Sequence, residues 1–192
     1  MTQSALLDRL EADLRSLLEQ VRTDIAPLEA AALQFRPVPE QWNVLECFAH
    51  LNAFADQYLP RIEQAIHRAK ARKWTPGEEV AYTFMGRRDI RRATPLNGKK
   101  IRTRKRYDFM YRPYGKEVVK NFIIQSERIL RNLQMAKEVD LNKAKVPRGE
   151  SGFFSYTLGN TFEWLVTHTR RHVDQMVEIL AQVQVQKSAV AR

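Results

Sequence analysis

Apolar and polar positions along the chain fall into four stretches of helical period. From about Ser4 to Leu33, one face carries Leu6, Leu7, Leu10, Leu14, Leu17, Leu18 and Val21, and Pro27 predicts a bend or restart within the stretch. The second begins after "RPVPEQW". Asn43 is a favourable N-cap there, and Glu46, three residues on, completes a capping box. Its stripe is Cys47, His50, Leu51, Phe54 and Tyr58, and it continues through "RIEQAIHRAKARK" with a bend expected at Pro60. The third runs from about Tyr114 to Val139 along Val118, Phe122, Ile129 and Leu133. The fourth runs from about Tyr156 to Gln186 along Leu158, Phe162, Leu165, Met176, Ile179 and Val183, with His172 on that line and His168 one turn before it.

The connections are unequal. A short Pro-containing turn joins the first two helices, and "DLNKAKVPRGESGFFS" joins the last two. Between the second and third lie roughly 40 residues, Trp74 to Pro113, far more than an antiparallel turn requires. A connection of that length can carry the chain back along a bundle and leave the second and third helices parallel. The expectation is an all-α chain, an up-down-down-up four-helix bundle forming one domain over residues 1–192, without internal repeats.

Composition narrows the setting. With 192 residues, 44% hydrophobic and 28% charged, the chain has the balance of a soluble globular domain with a sizeable core. Its single cysteine, Cys47, excludes an intrachain disulfide and fits a reducing compartment. The opening "MTQSALLDRLEADLRSLLEQ" interrupts its leucines with Asp8, Glu11 and Asp13. It therefore reads as a mature helix and not a signal peptide, and the protein as cytoplasmic. No apolar run approaches the ~18 residues of a membrane span.

Charge is concentrated. Between Gly86 and Tyr107, Arg87, Arg88, Arg91, Arg92, Lys99, Lys100, Arg102, Arg104, Lys105 and Arg106 face one acid, Asp89, so this segment accounts for nearly all of the formal +10. With Tyr107, Phe109 and Tyr111 beside it, it has the makings of a nucleic-acid surface, which would make the protein a nucleic-acid-binding accessory factor. The default reading is a solvated loop whose cations reach an anionic substrate or a dimer partner.

Four histidines carry the candidate chemistry. His168 and His172, four apart on a helix, share a face, the spacing with which helical histidines chelate a metal. His50 is the other histidine on an apolar stripe and the natural third ligand of an ion with an open position. Against this, such pairs also arise without a metal, and a histidine on an apolar face is commonly a hydrogen-bonded core residue. His67, among Arg68, Lys70 and Arg72, reads as solvated.

At this point the sequence resembles a known family. "QWNVLECFAHLN" with "YLPRIEQAI" resembles the helix that carries the first histidine in the DinB superfamily, in its DinB-like subgroup. "LGNTFEWLVTHTRRHVDQM" resembles that family's last helix with its His-x-x-x-His-x-x-Gln pattern, and "KKIRTRKRYDFMYRP" is similar to the basic segment before its third helix. The resemblance implies an up-down-down-up bundle and a divalent metal, often zinc or nickel, held at the positions of His50, His168 and His172. It also implies a choice of chemistries, because members include transferases and isomerases that use low-molecular-weight thiols and proteins described as metal-dependent hydrolases.

A three-histidine ion can activate water for hydrolysis or hold a thiol as thiolate for transfer. The reading is therefore a metal-dependent (thiol) transferase or hydrolase acting on a small-molecule substrate; a metal-binding protein without turnover is the alternative. Glu46, one turn before His50, reads as the capping-box partner of Asn43 or as an imidazole orienter or base. Gln175, one turn after His172, either fixes a ligand or bonds across the bundle. Cys47 reads as a buried structural thiol, and Trp42 and Trp164 as packing. A homodimer through an exposed helix face is compatible with the pattern.

Overall fold

The computed structural model describes residues 1–94, 103, 105–148 and 154–190; the side chains of 106 and 184–190 are outside that description. The chain is mostly helical: α1 Gln3–Gln20, α2 Ala30–Gln34, α3 Val44–Ala71, α4 Phe84–Ala93, α5 Glu117–Ala136 and α6 Leu158–Val190, with a two-stranded antiparallel hairpin of β1 Lys145–Arg148 and β2 Phe154–Thr157. No helix is long and apolar enough to cross a membrane among the described residues.

Each long helix follows from its sequence. The Thr2 hydroxyl caps α1 by accepting the Ala5 N–H at 3.1 Å, and Leu6, Leu7, Leu10, Leu14, Leu17 and Leu18 are buried. α1 then widens into a π-turn, Val21–Ile25, closed by Ala26 N–H on the Val21 carbonyl, before Pro27 ends the run and α2 restarts it. The capping box of α3 is complete, with Asn43 Oδ1 accepting Glu46 N–H and Glu46 Oε2 accepting Asn43 N–H, each at 2.9 Å. α3 continues without interruption across Pro60, which is exposed. The Thr157 hydroxyl accepts Asn160 N–H and caps α6.

α3 packs on α5 and α6, and α1 packs on the same two helices. Pairs between α3 and α5 ascend together: Asn52 with the Val118 carbonyl, Asp56 with Gln125, Glu63 with Arg128 and Asn132. Pairs between α1 and α6 also ascend together, Arg9 with Glu163 and Asp13 with Arg170. Between α1 and α5 they descend, from Asp8 and Lys137 to Arg22 and Glu127.

Three sequence expectations need correction. The crossover is not all loop, because α4 forms within it, capped by the Thr83 hydroxyl on Gly86 N–H at 2.9 Å, and packs on α6. The fourth helix starts at Leu158, since Tyr156 and Thr157 pair in β2 with Val146 and Lys145. The third starts at Glu117 and not Tyr114. Of the basic segment, Arg87, Arg88, Arg91 and Arg92 lie on α4; Lys99, Lys100, Arg102 and Arg104 lie outside the described residues.

Candidate metal centre

His50 stands in the second turn of α3, with His168 and His172 on one face of α6, and the seam between those helices brings the three together. His50 and His172 are buried and His168 is partly so. Nε2 of His168 lies 3.2 Å from Nε2 of His50 and 3.2 Å from Nε2 of His172, and all three ligating nitrogens fall within 4.8 Å of one another.

The far sides of two rings decide what those nitrogens carry. His50 Nδ1 lies 2.9 Å from the Tyr107 carbonyl, which only accepts, so Nδ1 holds the proton and donates it. His172 Nδ1 lies 3.0 Å from Gln175 Oε1 and donates likewise. In both rings Nε2 is thereby left with a lone pair, and both lone pairs are presented to His168 Nε2. One proton on His168 would have to serve two acceptors, whereas one cation would satisfy all three rings. Zinc–imidazole bonds of ~2.0–2.1 Å with tetrahedral angles put ligand nitrogens about 3.3–3.4 Å apart, close to the two separations observed. The donor set fits a divalent ion.

Electrostatics point the same way. Burial pushes His50 down to about 4, against the opposing Tyr107 carbonyl and Asp108. Burial pushes His172 down to about 3, helped by His50 and opposed by Gln175. His168 is lowered well below its ordinary value by burial, then by His172, His50 and Arg171. All three rings are neutral near pH 7, the form that ligates.

Aromatic rings wall the cluster. Trp164 stacks on His168 with centroids 5.0 Å apart and planes at 10°, and Trp42 stacks on His172 at 6.0 Å. Phe54 meets both His50 and His168 edge-on at 4.9 Å. The indole N–H of Trp42 donates to Asp108 at 3.2 Å. Trp42 and Trp164 do pack, as the sequence indicates, but they pack on the histidines.

Of the other sequence candidates, Gln175 is placed as an orienter of His172. Glu46 is not placed against His50. Its oxygens are taken by the Asn43 and Tyr111 N–H groups and by Arg36 at 2.6 Å. Orientation of His50 falls to the Tyr107 carbonyl, a residue read from sequence only as a possible base-stacking ring. Tyr107 stacks on Phe54 at 4.3 Å and bonds Gln57 through its hydroxyl. A backbone carbonyl 57 residues away leaves no signal in the sequence. Cys47 is buried, and burial raises its thiol further from ionisation. His67 is exposed on the outer side of α3.

The family model of the DinB superfamily matches residues 6–176. No curated protein and no solved structure matches the chain.

Proposed function

The chain belongs to the DinB superfamily, and we propose that it is a cytoplasmic, divalent-metal-dependent transferase or hydrolase built as a single up-down-down-up four-helix bundle. His50, His168 and His172 would hold the ion, zinc or nickel, and leave a coordination position open to a small-molecule substrate or a low-molecular-weight thiol. The observation that carries the reading is the convergence of three Nε2 atoms, two of them 3.2 Å from the third, with the Nδ1 atoms of His50 and His172 committed elsewhere. The ascending contacts between α3 and α5 support the bundle order.

When bound, the ion supplies Lewis acidity that activates water or a thiol near neutral pH. The chain's own residues prepare for it. Tyr107 and Gln175 fix the tautomers of His50 and His172, and burial keeps the rings unprotonated. Trp42, Phe54 and Trp164 hold the ring planes and exclude bulk water from their backs.

Metal analysis of purified protein tests this. About one divalent ion per chain is expected, His172→Ala should lose it, and His67→Ala should keep it. Equal metal content in the wild type and in a variant with alanine at residues 50, 168 and 172 would refute the site. Turnover assays of metal-loaded protein with thiol-transfer and ester substrates then separate an enzyme from a metal-binding protein without turnover.

A further inference from the structure

Beyond the histidines, a cavity of about 300 Å³ lies between the first turn of α3, the chain leading into it, and residues 111–114. No histidine lines it. We propose that this cavity is a second binding site, for a small organic anion: a carboxylate or phosphate monoester carrying a flat apolar body.

Charge comes first. The wall carries two guanidiniums, Arg36 and Arg112, and one carboxylate, Glu46. Glu46 is fully buried, and its oxygens already accept from Arg36, the Asn43 N–H and the Tyr111 N–H, so it has nothing left to present to a ligand. It neutralises Arg36, which also donates to the Gln41 carbonyl. Arg112 is exposed and meets no carboxylate among the described residues; its guanidinium lies 5.2 Å over the Phe109 ring and hydrogen-bonds the Tyr114 side chain. The wall therefore keeps at its exposed rim one guanidinium with no carboxylate partner among the described residues, a planar fork suited to recognition of a carboxylate or phosphate.

Size and shape come second. The volume sits at the lower end of the range for small-molecule sites and exceeds what a bare inorganic anion fills. The remaining wall is mixed, with the rings of Tyr111 and Tyr114 and the faces of Leu45 and Pro113 beside the amide side chains of Gln34 and Asn43. Tyr111 is held there at φ 60°, a left-handed conformation that a tyrosine rarely adopts. It is pinned by its N–H on Glu46, its hydroxyl on the Pro39 carbonyl, and Arg36 stacked 4.5 Å from its ring. Flat rings beside a cationic fork select an anion with a planar apolar body.

Titration of the full-length protein with benzoate, phenyl phosphate and neutral benzamide, followed by calorimetry and by the tyrosine ring resonances, tests the proposal. Benzoate and phenyl phosphate should saturate with dissociation constants in the ~millimolar range, and benzamide should bind at least about tenfold more weakly. Arg112→Gln should bring benzoate to the level of benzamide. Should that variant unfold, Arg112→Lys, which keeps charge without the fork, should cost about fivefold or more. Benzoate affinity should be the same in chelator and after metal addition, so the outcome stands apart from that of the histidine site. Absence of saturable binding, equal affinity for benzamide, or indifference to both Arg112 variants would overturn the proposal, as would binding abolished by chelation.

Discussion

At the scale of single residues, the histidines tie stability to pH. An unfolded imidazole protonates near 6.5, whereas the folded His50 and His172 wait until about 4 and about 3. Between those values the unfolded chain binds more protons than the folded one, so stability is lost as pH falls through that window and is untouched above it. Each depressed histidine contributes a slope of at most ~1.4 kcal/mol per pH unit. In chelator, urea unfolding of the wild type at pH 7, 6 and 5 should therefore show stability dropping with pH. His172→Ala, whatever its baseline, should flatten the drop by up to ~1 kcal/mol per unit. Parallel lines for the two chains would mean that the rings are hydrated and protonate normally when folded. Glu46 teaches a different lesson about residue roles. Its spacing from His50 suits an orienter, yet its place at the third position of the capping box, beside Arg36 and Tyr111 N–H, consumes it.

At the scale of elements, α4 shows how a helix hides in a sequence. Its buried residues are Gly86, Asp89 and Ala93, so its inner face has no apolar stripe to read, and its arginines dominate the pattern. What docks it is close approach and polar pairing. Asp89 accepts from Arg148 at 2.7 Å and from the Tyr156 hydroxyl, tying α4 to the hairpin. A Cβ on Gly86 would stand 2.3 Å from Oδ1 of Asn160, a fully buried side chain held by the Thr83 N–H and hydroxyl. Gly86→Ala should thus destabilise by about 1–3 kcal/mol through overpacking, although alanine favours a helix by ~1 kcal/mol. Urea unfolding of the variant measures the sign, and a gain in stability would show that α4 does not sit this close to α6. The four long helices were legible because leucine, phenylalanine and isoleucine recur at the helical period and because Asn43 and Glu46 announce a start. The hairpin was not, since its four-residue strands are too short for alternation and Pro147 stands inside one of them. The site divides in the same way. His50, His168 and His172 stand out by spacing and by the apolar company they keep. The Tyr107 carbonyl and the Asp108–Trp42 bond depend on how the crossover folds back, which no local pattern encodes.

At the scale of the whole molecule, the proposed ion would join parts of the chain that are far apart in sequence. His50 lies 118 residues before His168, and the Tyr107 carbonyl bonded to His50 draws the end of the crossover into the same cluster. The ligands belong to α3 and α6, and each of those helices also packs on others, α3 on α5 and α6 on α1. Parting α3 from α6 separates the ligands, so an ion that binds only the assembled cluster stabilises that packing and the fold that depends on it. A free ion at about one hundred times its dissociation constant stabilises by ~2.7 kcal/mol. For a chain of this length that raises Tm by roughly 5–11 °C. Thermal unfolding of chelated protein, with zinc or nickel added back, should show the rise for the wild type and for Glu46→Gln, whose altered carboxylate lies outside the ligand set. His168→Ala should show none. Hydrogen exchange should localise the same effect, with added metal slowing the amides of the first turns of α3, the middle of α6 and residues 107–111 together, while those of α1 follow only through global stability. Protection confined to α6 would place the ion on His168 and His172 alone and remove His50 from the site. A Tm that ignores metal, with His168→Ala indistinguishable from wild type, would reduce the three rings to a hydrogen-bonded core cluster.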